Sequence, residues 1–68
     1  MNPVIEHVLQ FFDYDHLPLH LQEVSKPFKA LAETIASASS NPETTVALRK
    51  LLEAKDAAVR AVVSKIGA

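Results

Sequence analysis

The chain has 68 residues, a net charge of −1 and no cysteine, which excludes disulfides and cysteine-held zinc and leaves oligomerisation as the usual supplement to so small a core. The charge balance argues against general affinity for duplex DNA or RNA, so any anion site must be local. No apolar run approaches the roughly 20 residues of a membrane span, and the N-terminal MNPVIEHV does not read as a signal peptide. A single glycine among many Ala, Leu, Lys and Glu points to an all-α chain, and the lack of cysteine fits a reducing cytosol.

Asn2 and Pro3 read as an N-cap followed by proline at the first helical position. Val4, Ile5, Val8, Leu9 and Phe12 then form a short apolar stripe that predicts a helix ending near Phe12. Asp13-Tyr14-Asp15-His16 is turn-like, and Pro18 holds Leu17 extended.

The second helix is predicted to start near Pro18. Leu17, Leu21, Val24, Phe28, Leu31, Ile35 and Ala38 follow an alternating spacing of four and three, the pattern of one packed helix face. That pattern runs through Pro27 without a phase shift. One kinked helix accounts for it; a break with Ser25 capping a new helix is the competing reading.

Ser39-Ser40-Asn41-Pro42 ends the second helix, with Asn41 as cap and Pro42 as first residue of the third. So short a connection predicts an antiparallel helical hairpin. The third helix puts Leu48, Leu51, Leu52, Ala58, Val59, Val62 and Ile66 on one broad side, with Ala47, Ala54 and Ala61 along its edge. That arc is wider than a two-helix seam needs. Either the N-terminal helix covers the alanines, or another copy of the chain does.

Arg49, Glu53, Asp56 and Arg60 fall on the opposite side of this helix. They form either a solvated, mutually paired face or a place where a guanidinium meets phosphate or stacks on a base. Lys55 lies inside the apolar side. It either snorkels, with its ammonium reaching water or Asp56, or contacts an anion. Tyr14, the one tyrosine, is either a lid over the core or a stacking platform for a flat ligand. His16 and His20 have a spacing seen in zinc sites but lack the accompanying glutamate, so no metal is expected. No nucleophile–base pair and no glycine-rich phosphate loop is present in the sequence, so no catalytic residue is assigned.

The segments HLPLHLQEVSKPFKALAETI and SSNPETTVALRKLLEAKDAAVRAVV resemble the helical hairpin of phage proteins that sequester immune signalling nucleotides. These are the anti-CBASS cyclic-oligonucleotide sponges and the hairpin part of an anti-Thoeris sponge. The resemblance covers residues 14–66. It rests on the hairpin length, the N-P-E-T-T-V-A-L opening and the L-x-x-A-x-x-x-A-x-x-A run from Leu51 to Ala61.

The resemblance implies a compact helical homo-oligomer, often a hexamer, in the host bacterial cytosol. It would bind cyclic di- or trinucleotides between protomers without cleaving them and without a cofactor. Tyr14 and Lys29 occupy positions like those of the sponges' stacking tyrosine and phosphate-binding lysine and are expected to form the site from adjacent protomers; Arg60 is similar to an arginine that contacts cyclic trinucleotide, at the same or a second site. Arg49 stands where the sponges often have a small hydroxyl residue, and Ala54-Lys55-Asp56 replaces their bulky apolar residues. A small helical protein-interaction or self-assembly module is the alternative.

Overall fold

The computed structural model describes residues 2–67, with side-chain surroundings through residue 65. It contains three α-helices, α1 (Pro3–Leu9), α2 (Leu19–Ala38) and α3 (Pro42–Gly67), with a 3-10 turn, Gln10–Phe12, continuing α1. No strand occurs among the described residues, and no helix among them is long and apolar enough to cross a membrane.

Local chemistry sets the boundaries. The Val4 amide donates to Asn2 Oδ1 at 2.8 Å, satisfying one of the free N–H groups at the start of α1. At α3, Asn41 Oδ1 accepts from the Glu43 and Thr44 amides at 2.9 and 3.2 Å. Thr44 Oγ1 accepts in return from the Asn41 amide at 3.2 Å and lies 2.7 Å from Ser39 Oγ. This is a reciprocal capping box in which threonine replaces the usual Glu or Gln. It explains why Thr44 is buried and polar.

α2 runs unbroken through Pro27, so the single-helix reading holds and Ser25 does not begin a new helix. Pro27 and Glu23 are both exposed. The Glu23 carbonyl, which loses its partner because proline has no N–H, therefore faces solvent.

The connection Ser39–Asn41 returns α3 antiparallel along α2, and the two helices pack together. On α3 the packed line is Thr44, Leu48, Leu51, Lys55, Ala58 and Val62, all buried or half-buried. That spacing of four and three is a coiled-coil-like seam. The apolar side predicted for α3 is thus the packed one; Ile66 lies outside the described side chains.

α1 and the 3-10 turn lie in the groove on one side of the hairpin. Ile5, Val8 and Phe12 form the core there with Ala32, Ala36 and Leu48. Fully burying each of the larger side chains contributes about 1.5–3 kcal/mol. This third element shifts the buried line on α2. Leu21, Ser25, Ala32 and Ala36 are buried and Phe28 and Ile35 half-buried, whereas Leu31 and Ala38 of the predicted face are exposed. Small residues at 32 and 36 let α1 approach, and the buried arc rotates toward it. The molecule is a rod of 41 × 19 × 16 Å, and α3, at 26 residues and roughly 1.5 Å per residue, spans nearly all of its length.

Candidate functional site

Phe12 anchors the chain on the way into the site. Its ring is fully buried, and the following residue, Asp13, turns extended, with its amide donating to the Gln10 carbonyl at 3.2 Å. Tyr14–Leu17 then forms a turn closed by the Leu17 amide on the Tyr14 carbonyl at 2.9 Å. Gln22 Nε2 donates to the Leu17 carbonyl at 2.8 Å, tying this turn to the first turn of α2. Gln22 and Lys29 are seven residues apart and share a helix face, so Lys29 rises beside the turn that presents Asp13 and Tyr14.

Lys29 Nζ donates to Asp13 Oδ1 at 3.0 Å and lies 5.5 Å from the centroid of the Tyr14 ring. That is within the range of a cation–π contact. A single chain therefore brings Tyr14 and Lys29 together, whereas the resemblance predicts that they meet from adjacent protomers. The Lys29 pKa is raised above its ordinary value. Its hydrogen bond to Asp13 is the main cause; partial burial opposes the shift, and the charges of Asp13, Glu33 and Asp15 add to it. Tyr14, Lys26, Lys29 and Glu33 line a shallow groove of about 230 Å³. A second depression of about 360 Å³ runs between α1 and α2, where Glu6, Asp13, Lys29 and Glu33 meet.

Arg60 and Lys55 lie on the other side of the 3-10 turn. They share a groove of about 390 Å³ with Gln10, Phe11, Asp13, His16, Leu17, Asp56 and Val59. Lys55 occupies the seam; its side chain is 13% exposed and its ammonium reaches Asp56 Oδ1 at 2.8 Å, as the snorkelling reading requires. Phe11 is half-exposed at the rim, its ring edge-to-face with His7 at 5.4 Å between centroids. Sequence reasoning treated Phe11 as part of no site. It lies beside the stripe of Ile5, Val8 and Phe12, a large apolar residue next to the packed line and half-exposed, and that off-stripe position is the signal that could have found it.

Arg49 is exposed and lines neither groove. It is eleven residues from Arg60, roughly 16 Å along the helix. The pairing expected between the arginines and the α3 carboxylates does not form. Glu53 lies 4.0 Å from Lys50, Asp56 engages Lys55, and neither arginine makes an ion pair among the described residues. A long guanidinium loses side-chain entropy on pairing at an exposed helix face, and little energy is gained there. His16 and His20 are both exposed, and no cluster of three metal-ligating side chains forms among the described residues.

The turn Gln10–Asp13 thus divides two sites. One presents an aromatic ring with a cation over it, and the other an aromatic ring with a free guanidinium. No family model, characterised protein or solved structure matches this chain.

Proposed function

We propose that this protein sequesters cyclic oligonucleotide signals, holding them on copies of itself without cleaving them, as a phage counter-defence protein in the host bacterial cytosol. The observation that carries the reading is the Lys29 ammonium 5.5 Å over the Tyr14 ring. Stacking on an aromatic face together with a cation for phosphate is what binding a nucleotide requires. The resemblance over residues 14–66 supports the same two residues. Arg60 and Phe11 line the second groove together, a cation and a ring suited to a larger cyclic ligand; Lys55, paired there with Asp56, meets a ligand only by exchanging that carboxylate for phosphate, and Arg49 serves only a ligand that extends along α3. Neither groove encloses a small molecule, and assembly into a homo-oligomer, a hexamer in the family resembled, would close them. The proposed chemistry is binding alone, with no catalytic residue and no cofactor.

A second reading has its own observation. Leu31, Ala38, Ala47, Ala54 and Ala61 leave an exposed apolar flank on the hairpin, which also suits a protein-interaction or self-assembly module with no nucleotide ligand.

Native mass spectrometry after incubation with a panel of cyclic di- and trinucleotides separates the two. The sequestering protein appears as an oligomer carrying nucleotide and returns it intact on denaturation. Tyr14→Ala and Lys29→Ala each weaken retention while the oligomer survives. An oligomer that ignores the whole panel establishes the interaction module instead, and altered nucleotide on release would mean catalysis.

A further inference from the structure

The surroundings of Lys29 carry a consequence for the kind of phosphate this site accepts. Its ammonium is already engaged by Asp13 at 3.0 Å. Glu33 borders the same groove, one helical turn beyond Lys29, together with Tyr14 and Lys26. Asp15 lies close enough for its charge to act on Lys29. Two lysines therefore face three carboxylates, and a phosphate reaching Lys29 enters a field that is net negative before it arrives. A phosphodiester brings one negative charge, whereas a terminal phosphomonoester brings close to two at neutral pH. Attraction to Lys29 grows with that charge, but so does repulsion from the carboxylates. Stacking on Tyr14 is the same for either.

We infer that the Tyr14–Lys29 site selects singly charged phosphodiesters over doubly charged terminal phosphates, and that Asp13 sets the selection. Asp13 is a specificity-determining residue in this scheme. It is half-exposed, belongs to no core contact, and lines both the depression between α1 and α2 that Lys29 borders and the Arg60 groove. Its carboxylate holds Lys29 in place over Tyr14 and sits where a terminal phosphate would have to come. A cyclic dinucleotide meets the site with monoanionic phosphates only. The linear dinucleotide from its hydrolysis carries a dianionic end and is held less well. The protein would then retain the intact signal and discriminate against its degraded form.

This inference rests on the sequestration reading, and one titration series distinguishes their failures. The affinities of cyclic di-AMP and of linear 5′-phosphorylated di-adenylate are measured by calorimetry at low, fixed ionic strength, for the full chain and for Asp13→Asn. Circular dichroism confirms equal helix content in the two. The wild type should prefer the cyclic form. Asp13→Asn should tighten the linear form more than the cyclic one, so that the preference falls by about threefold or more, the effect of removing one charge at several ångströms. Glu33→Gln should move the preference the same way by a smaller factor. An unchanged or wider preference in Asp13→Asn, or equal loss of both ligands, overturns the inference while leaving sequestration intact. A wild type that binds neither dinucleotide nor any other cyclic signal removes the sequestration reading and this one with it.

Discussion

On the side of the hairpin that α1 covers, Ala32 and Ala36 are buried; on the opposite flank Ala47, Ala54 and Ala61 are exposed, and Leu31 is 49% exposed. The same kinds of residue meet opposite surroundings within one hairpin. The difference is whether a third element reaches over them. α1 does so on one side because Asn2 caps it, the 3-10 turn prolongs it and Phe12 anchors its end. Nothing among the described residues does so on the other. Alanine contributes little by burial, so its value at either place is to permit close approach of a backbone. One side uses that permission within the chain, and the other leaves it open to a second copy.

Glutamate placed on each side breaks the comparison most severely. Ala32→Glu puts a charge where exposure is 0%, with no cation to meet it, and should abolish cooperative folding. Ala54→Glu should leave helix content intact in the isolated chain and lower the oligomer mass. Circular dichroism and sedimentation read the two effects separately. A wild type that sediments as a stable monomer at micromolar concentration would refute the idea that the open flank is an assembly surface.

Apolar truncation gives the next largest effect. Phe12→Ala removes a fully buried ring and should cost about 3–5 kcal/mol, a large part of the stability of any small domain. Leu31→Ala, half-exposed, should cost well under half as much in the monomer. Urea denaturation measures both. Equal losses would mean that the flank is covered in solution and that the two sides do not differ.

The element boundaries were legible because their causes are local. Asn2-Pro3 and Asn41-Pro42 carry their caps within three residues, and the spacing from Leu17 to Ala38 continues through Pro27 as α2 does. The buried line of α2 was legible only in part: Leu17, Leu21, Val24, Phe28 and Ile35 of the predicted face are buried or half-buried. The spacing of large residues singled out Leu31 and Ala38, whereas the packed line runs through Ser25, Ala32 and Ala36. Leucine periodicity reports a two-helix seam and is blind to a third element that docks on small residues. Lys55 was legible as a cation inside the seam because its place on the helix wheel needs no tertiary information. Tyr14 stood out in the sequence as a lone aromatic in a turn, and Lys29 was singled out only through the resemblance. Their meeting, and the part of Asp13 in it, depends on a 3-10 turn that places residues sixteen apart in sequence side by side.

Ser25 sharpens the contrast at a smaller scale. It sits on the covered side, 1% exposed, and its hydroxyl has no hydrogen-bond partner. A buried hydroxyl without a partner opposes folding, and alanine is also the better helix former. Ser25→Ala should therefore raise the unfolding free energy, by about 1 kcal/mol. A loss of stability instead would show that the hydroxyl is satisfied in solution, by a bound water or by the Leu21 carbonyl one turn back.

The smallest effect concerns Lys29, which belongs to neither the covered core nor the open flank. Its pKa is raised in the fold from 10.5, chiefly by the hydrogen bond to Asp13. A raised lysine pKa means that the folded chain holds the proton more tightly than the unfolded one. The resulting stabilisation is complete below the unfolded value and disappears as pH rises through the folded one. The stability difference between wild type and Lys29→Met should thus be constant from neutral pH to about 10 and shrink above it, as thermal unfolding across that range would show. The difference should be slight throughout, because the pair is solvent-screened. A large difference at neutral pH would make Lys29 a structural residue. A slight one leaves Asp13 and Lys29 free to be exchanged for a ligand's phosphate with the fold undisturbed, as a binding site on so small a core requires.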